Sequence, residues 1–141
     1  MNTCATSGPA GSVVADASPE LAKRSVEKLA GTLAKLVEKG KLAAAERDAV
    51  LGRIRPARAI DDCAGADLAI EAIVENEGAK KDIFRRLDAL LRPEAILASN
   101  TSSISITALA AATGRPDRFV GMHFMNPPPV MQLIEIIRGL Q

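Results

Sequence analysis

The chain has 141 residues, of which 48% are hydrophobic, and its 18 basic side chains nearly balance 17 acidic ones, leaving a formal net charge of +1. This length suffices for one domain with a core, but not for separate cofactor and substrate domains. Because there is no run of like charges, we expect neither nucleic acid nor a membrane surface as a partner. No apolar run reaches membrane length, and the first residues lack a secretory signal. Two cysteines and one histidine without metal-type spacing predict no metal site and favour a reducing, cytoplasmic location.

The first half of the sequence alternates between strand and helix patterns. The β-branched run at 12–16 predicts a strand, and Ser18 followed by Pro19 predicts the start of a helix. Apolar residues at helical spacing continue this helix until Gly40 stops it. The weaker predictions that follow are a helix over 43–54 and a short strand over 57–60, before a turn at Asp61 and Asp62.

The second half carries clearer signals. Residues 68–74 (LAIEAIV) are nearly continuously apolar, which is typical of a parallel strand covered on both faces. Asn76 predicts the cap of a helix over 79–91, which Pro93 stops. The remaining elements are a strand at 95–99, a helix at 106–112, and strands at 119–123 and 132–137. This alternation predicts an α/β fold built from βαβ units, with right-handed crossovers and a mostly parallel sheet.

Polar residues collect where the predicted strands end. In parallel sheets ligands bind beyond the carboxyl ends of the strands. The polar groups at those ends are Asp16, Glu75 with Asn76, residues 100–102, and residues 123–126. The sequence therefore predicts a site of acid, amide, hydroxyl and imidazole groups at one edge of the sheet.

His123 is the only histidine of the chain and ends a predicted strand, within GMHFMNPPPV. It could be a hydrogen-bonded core or turn residue. However, Glu135 lies in the apolar run LIEII, where a buried carboxylate is costly unless paired, and His123 is the nearest candidate partner. A carboxylate bound to one ring nitrogen would fix the tautomer and leave the other nitrogen to accept a substrate proton. The prolines at 127–129 would stiffen the following loop, or merely form a corner between strands.

The other candidate residues each have a simpler interpretation. Asp16 could accept hydrogen bonds from both ribose hydroxyls of an adenine dinucleotide, which would favour NAD over NADP, or it could belong to a turn. Ser102 could form part of a capping turn before the next helix, as could the serines that follow it. Glu75 and Lys80 could be solvated groups beside a helix start.

Three segments resemble the NAD-binding domain of 3-hydroxyacyl-CoA dehydrogenases, and within that family the bacterial 3-hydroxybutyryl-CoA dehydrogenases. They are EAIVEN (71–76), ASNTSSISIT (98–107) and RPDRFVGMHFMNPPPVMQLIEII (115–137). The similarity extends from about Cys4 to the end of the chain. It implies a Rossmann-like, doubly wound fold. It also implies reversible oxidation of an (S)-3-hydroxyacyl-CoA by NAD, in fatty acid or butanoate metabolism.

The resemblance assigns residues to a catalytic and a cofactor group. In the catalytic group, His123 would be the base that removes the substrate's hydroxyl proton. Glu135 would orient this base and balance its charge, and Ser102 would hydrogen-bond the reacting oxygen. The cofactor group would hold the adenosine ribose and line the nicotinamide end of NAD; its members are Asp16 for the ribose, and Glu75, Lys80 and Asn100 for the nicotinamide.

Two features of the family are not recognised in the sequence. The family begins with a buried strand and a GxGxxG turn, whose amides bind the pyrophosphate at a helix N-terminus. GPAG at 8–11 is no substitute because no strand is predicted before it, and CATSG at 4–8 resembles the end of the family's first helix. We therefore expect 1–141 to form a partial dinucleotide-binding domain with a gap in its sheet, between the strands at 12–16 and 68–74. We also expect the helical domain, which in the family makes the dimer and completes the acyl-CoA site, to be absent.

Three functions follow. The first is a dehydrogenase domain that is inactive as this chain alone. The second is a truncated, non-catalytic remnant that acts only as a binding or interaction module. The third is another hydroxyacid dehydrogenase of the same fold with a lysine base, against which the pairing of His123 with Glu135 argues.

Overall fold

Seven short strands join into one sheet in the computed structural model, which describes residues 2–5, 11–126, 131 and 133–140, and only the backbone of 2–5. The strands are β1 (Asn2–Ala5), β2 (Ser12–Ala15), β3 (Ile54–Pro56), β4 (Leu68–Glu71), β5 (Ile96–Ser99), β6 (Phe119–Phe124) and β7 (Ile134–Arg138). Their order is β3-β2-β1-β4-β5-β6-β7. β1 runs antiparallel to both neighbours and β7 runs antiparallel to β6. The other five strands share one direction, which confirms the predicted α/β fold with a mostly parallel sheet.

The expected gap in the sheet is filled. Its predicted position is correct, since β1 lies between β2 and β4, with Cys4 opposite both Val13 and Ala69. The expectation of an empty slot, and of a helix end around Cys4, is wrong. An extended segment can satisfy the backbone groups of both neighbours, and leaving those groups unpaired would cost roughly 1–3 kcal/mol each. Of the GPAG segment, residues 8–10 lie outside the described residues.

The helices begin and end close to the predicted signals. They are α1 (Pro19–Glu38), α2 (Ala44–Leu51), α3 (Glu77–Leu90) and α4 (Ile106–Ala110). The Ser18 side chain accepts a hydrogen bond from the Leu21 N–H at the start of α1, and Asn76 accepts from the Ala79 N–H at the start of α3. After α1, Gly40 adopts a φ of 65°, which glycine tolerates best. None of the helices in the described ranges is both long and apolar enough to cross a membrane.

One strand lies elsewhere than predicted. Residues 57–60 are not a strand; β3 precedes them because Ile54 pairs with Ser12 of β2, and the Ala57 N–H donates to the Val14 carbonyl at 2.8 Å. The predicted turn that follows is a 3₁₀ helix (Ile60–Cys63). The partner strand, rather than the local sequence, therefore decided where β3 forms.

β4 is shorter than the apolar run that predicted it. It ends at Glu71 rather than at Val74, because the Ile73 N–H donates to Glu71 Oε1 at 2.6 Å instead of to a neighbouring strand. The buried glutamate thus terminates the strand and opens the loop that leads to α3.

The core lies between this sheet and the helices α3 and α4. Phe84 of α3 and Phe119 of β6 pack edge to face with ring centroids 4.5 Å apart. Leu97 and Leu109 are fully buried beside them. Gly121 of β6 has no room for a side chain, since a Cβ there would lie 2.9 Å from Ile106 Cδ1 and 3.0 Å from Ile137 Cβ. The glycine thereby lets α4 and β7 approach the strand that ends at the predicted site.

Candidate functional site

The parallel strands β2, β4, β5 and β6 end at one edge of the sheet, and hydrogen bonds join the segments that leave them. The Asn100 N–H donates to the Glu71 carbonyl at 2.8 Å, linking the ends of β5 and β4. The Phe124 N–H donates to Asn100 Oδ1 at 2.8 Å, linking β6 to β5. Predicted site residues from three strands are therefore brought to a common edge.

His123 and Glu135 form a hydrogen-bonded pair across β6 and β7. They stand directly opposite in the strand register, and Nδ1 of the ring lies 2.8 Å from Glu135 Oε2. The predicted contact is present, but the expectation of a buried Glu135 is wrong: its side chain is 49% exposed, against 22% for His123. Among the described strands, β7 lies at the end of the sheet and has β6 as its one neighbour. The prolines at 127–129 lie outside the described residues.

Glu75 binds the loop that follows β5. Its Oε1 accepts hydrogen bonds from Thr101 Oγ1, from the Ser102 N–H at 3.3 Å and from Ser103 Oγ at 3.2 Å. Its Oε2 lies 3.3 Å from Lys80 Nζ. Burial alone would raise the pKa of Glu75, but the hydrogen bonds from Thr101 and Lys80 and the charge of Lys80 outweigh it and lower the pKa to about 2. Glu75 is thus a carboxylate anchor of the loop.

Lys80 lies behind Glu75 and not at the surface of the site. The whole residue is 1% exposed, and its Nζ lies 2.7 Å from Glu71 Oε1 and 3.5 Å from the Ile73 carbonyl. The alternative of a solvated lysine beside a helix start is therefore wrong.

Ser102 is exposed and its backbone is held by Glu75. The capping interaction that offered a simpler explanation is made by Ser105, whose Oγ accepts from the Ala108 N–H at 3.2 Å at the start of α4. Ser102 follows β5, which pairs with the strand that carries His123.

Asp16 makes the turn contact that was the simpler interpretation, and its role toward a ribose stays a prediction. Its Oδ1 accepts from the Ala17 N–H at 2.8 Å, as in a turn. It also lines a cavity of about 320 Å³ at the ends of β2 and β4, together with Ile60, Ile83 and Arg58.

Glu71 and Ser99 were missed by the sequence reasoning. Glu71 is 2% exposed, and its Oε2 accepts from the buried Ser99 Oγ at 2.7 Å. The available signal was a carboxylate inside a strand predicted to be covered on both faces. Glu135, for which burial was predicted, is exposed, whereas Glu71 is buried.

The residues present fit the two ends of NAD, the expected cofactor. At one end, Asp16 provides a carboxylate beside a cavity lined by apolar side chains, such as Ile60 and Ile83, and by two arginines, Arg58 and Arg86. A cavity with apolar surface and a carboxylate suits an adenosine. At the other, Asn100 accepts through its side-chain oxygen, so its amide N–H groups face no acceptor among the described residues. The pyrophosphate between them has no GxGxxG turn in this sequence, and Ala5 pairs with Ser12 at the sheet edge opposite Asp16.

Comparison with known proteins gives a consistent match. The family model for the NAD-binding domain of 3-hydroxyacyl-CoA dehydrogenase matches residues 3–141. A probable 3-hydroxybutyryl-CoA dehydrogenase of Deinococcus radiodurans is 54% identical over 92% of this chain, and the 3-hydroxybutyryl-CoA dehydrogenase of Bradyrhizobium diazoefficiens is 50% identical over 91%. The crystal structure of (S)-3-hydroxybutyryl-CoA dehydrogenase from Ralstonia eutropha superposes with a TM-score of 0.88 and 46% identity over 92% of this chain.

The match covers only part of each relative. The chain spans 46% of the Deinococcus protein, 44% of the Bradyrhizobium protein and 46% of the Ralstonia structure. Within that span the fold and the NAD-binding class of the domain agree. The chain belongs to the family of NAD-binding domains of 3-hydroxyacyl-CoA dehydrogenases.

Proposed function

We propose that this chain is the NAD-binding, proton-abstracting part of an enzyme that interconverts an (S)-3-hydroxyacyl-CoA and the 3-ketoacyl-CoA. The observation that carries the proposal is the 2.8 Å contact between His123 Nδ1 and Glu135 Oε2 at the sheet edge where Asn100 and Ser102 also lie. A lysine-based hydroxyacid dehydrogenase is disfavoured, because Lys80 is buried between two glutamates.

His123 acts as the general base. Glu135 accepts a hydrogen bond from the Nδ1–H, so the lone pair of Nε2 is free to take the proton of the substrate's 3-hydroxyl group. The imidazolium that forms is stabilised by the Glu135 carboxylate. General-base catalysis of this kind contributes roughly 10²- to 10⁴-fold to rate. NAD, when bound, supplies the acceptor for the hydride that leaves C3.

Two further groups orient the reactants. The Ser102 hydroxyl hydrogen-bonds the reacting oxygen, and Glu75 holds the Ser102 backbone in place. Asn100 donates its amide N–H groups toward the nicotinamide end, since its oxygen is used by Phe124. Lys80 acts through Glu75, because its own ammonium is buried.

Asp16 selects the nucleotide at the adenosine end. Its carboxylate accepts from the ribose hydroxyls and repels a 2′-phosphate, so NAD is preferred over NADP. Replacing Asp16 by Ser should narrow that preference.

The rest of the activity needs more than these 141 residues. The relatives compared above are about twice as long as this chain. In this proposal, a helical domain other than residues 1–141 completes the acyl-CoA site and makes the dimer contact. We expect the chain alone to show no turnover. We also expect the protein to be cytoplasmic. The second candidate, a non-catalytic binding module, is favoured by two observations: the sequence has no GxGxxG motif, and β1 runs antiparallel to both of its neighbours.

The test has two parts. In the first, NADH is titrated into the chain and its fluorescence is followed, which is simple because the chain has no Trp and no Tyr. Saturable micromolar binding of NADH supports the dehydrogenase domain. Absence of NADH binding supports the non-catalytic module. In the second, the chain is fused to the part of the Deinococcus protein that it does not cover, and NADH oxidation by acetoacetyl-CoA is measured. His123→Gln should then lower kcat at least 100-fold with unchanged NADH affinity, whereas Glu27→Gln on the exposed face of α1 should change neither.

A further inference from the structure

Glu71 is a buried carboxylate with every oxygen in use. It ends β4 and is 2% exposed. Its Oε1 accepts from Lys80 Nζ at 2.7 Å and from the Ile73 N–H at 2.6 Å, and its Oε2 accepts from Ser99 Oγ at 2.7 Å. A buried charge is costly unless its geometry is satisfied in this way. The strict placement of these partners needs an explanation beyond strand termination.

Lys80 links Glu71 to Glu75, because its ammonium contacts both carboxylates. An ammonium has three donors, and three acceptors surround this one: Glu71 at 2.7 Å, Glu75 at 3.3 Å and the Ile73 carbonyl at 3.5 Å. Because Lys80 is 1% exposed, its ammonium has no solvent to compensate for a lost partner. Its position is therefore set by Glu71, which makes the shorter of its two carboxylate contacts.

Glu75 in turn fixes the loop after β5. Its Oε1 receives Thr101 Oγ1, the Ser102 N–H and Ser103 Oγ. Thr101 Oγ1 also accepts from the N–H groups of Ser103 at 3.3 Å and Ile104 at 3.0 Å. A continuous chain of polar contacts thus runs from the interior of the sheet to the exposed loop that carries Ser102.

We infer that Glu71 is a positioning residue, which holds Lys80 and, through Glu75, sets the conformation of the loop 101–103. The functional importance of this loop rests on the role proposed above for Ser102, whereas the mechanical link can be tested without any cofactor or substrate. The competing explanation is a buried ion pair that only adds stability. In that case the loop would loosen no more than the rest of the fold when Glu71 is changed.

Amide hydrogen exchange measured by NMR separates these explanations. The variants are Glu71→Gln, Lys80→Met and their combination, with Asp88→Asn as the matched control, since it breaks a largely buried carboxylate contact with Arg115, 2.6 Å long, elsewhere on α3. We expect Glu71→Gln to speed exchange of the Ser102, Ser103 and Ile104 amides at least 10-fold more than exchange in β5 and β6. Asp88→Asn should change amide exchange at residues 102–104 no more than in β5 and β6.

The double variant keeps the test decisive if Glu71→Gln alone does not fold. Removing both charges avoids a lone buried ion and should restore the urea midpoint toward that of the wild type. The amides of residues 102–104 should nevertheless stay fast. Retained protection of these amides in either folded variant would overturn the inference. So would the same selective loosening of residues 102–104 in the control Asp88→Asn. Fast exchange of these amides in Glu71→Gln with unchanged turnover of the same variant in the fusion would instead count against the role proposed for Ser102.

Discussion

His123 and Glu135 occupy directly opposed positions on β6 and β7, so the backbone register itself brings Nδ1 within 2.8 Å of the carboxylate. The pairing of two strands, and not a flexible loop, therefore sets the orientation of the imidazole. The strand pairing fixes which Cα positions face each other, although the Glu135 side chain is half exposed.

The first prediction concerns the tautomer of His123. Glu135 should hold the proton on Nδ1 of the neutral ring, and Glu135→Gln should allow the Nε2–H tautomer to grow. ¹⁵N chemical shifts of labelled histidine report this directly, and they need no assignment because His123 is the only histidine. Glu27→Gln serves as the control. Identical ring shifts in the wild type and Glu135→Gln would contradict the contact.

The second prediction concerns acid stability. Because the pKa of Glu75 is lowered from 4.5 to about 2, its carboxylate stabilises the fold fully above its ordinary pKa, and that contribution is lost as the pH falls toward 2. Its side chain is 40% exposed, so solvent screening makes the loss smaller than the full shift would give. Urea midpoints measured from roughly pH 5 to pH 2 should therefore fall less steeply in Glu75→Gln than in the wild type. Glu94→Gln, at an exposed residue before β5, should keep the wild-type slope.

The third prediction uses one substitution at two glycines. Gly121→Ala would place its Cβ 3.0 Å from Ile137 Cβ, and overpacking of this kind costs about 1–3 kcal/mol of unfolding free energy. Gly31→Ala, with no atom within 4 Å and in the interior of α1, should instead stabilise by about 0.5–1 kcal/mol. Urea denaturation of both variants checks the opposite signs. A neutral Gly121→Ala would mean that α4 moves away at little cost.

The fourth prediction concerns the edge strand β7. Ile134 and Ile136 lie on the same face of this strand and are 47% and 57% exposed. An apolar edge strand is a template for pairing with other chains. We expect light scattering of the concentrated chain to fall when both are replaced by Lys, with the His123–Glu135 contact retained on the other face. Equal scattering from the wild type and the variant would exclude β7 as the associating surface.

The sequence predicted the features that depend on local chemistry. The start and end of α1 follow from Ser18, Pro19 and Gly40, whose effects act within one turn. The polar edge also followed, because parallel strands must all end on one side.

The features that were missed depend on partners distant in sequence. The position of β3 depends on its pairing with Ser12, and the direction of β1 depends on β2 and β4 together. Glu71 was hidden in an apolar run because its partners, Ser99 and Lys80, come from two other elements. An alternation pattern records which side of a strand is covered, and it does not name the groups that cover it.

The reversed direction of β1 has a practical consequence for anyone who handles this protein. Asn2 pairs with Ala15, immediately before Asp16, so any residues attached ahead of Asn2 leave the sheet at the edge that carries the cavity. An affinity tag at the amino end would therefore lie close to the cavity that we propose for the adenosine. For binding measurements, the tag should be placed at the carboxyl terminus, or an amino-terminal tag should be removed first.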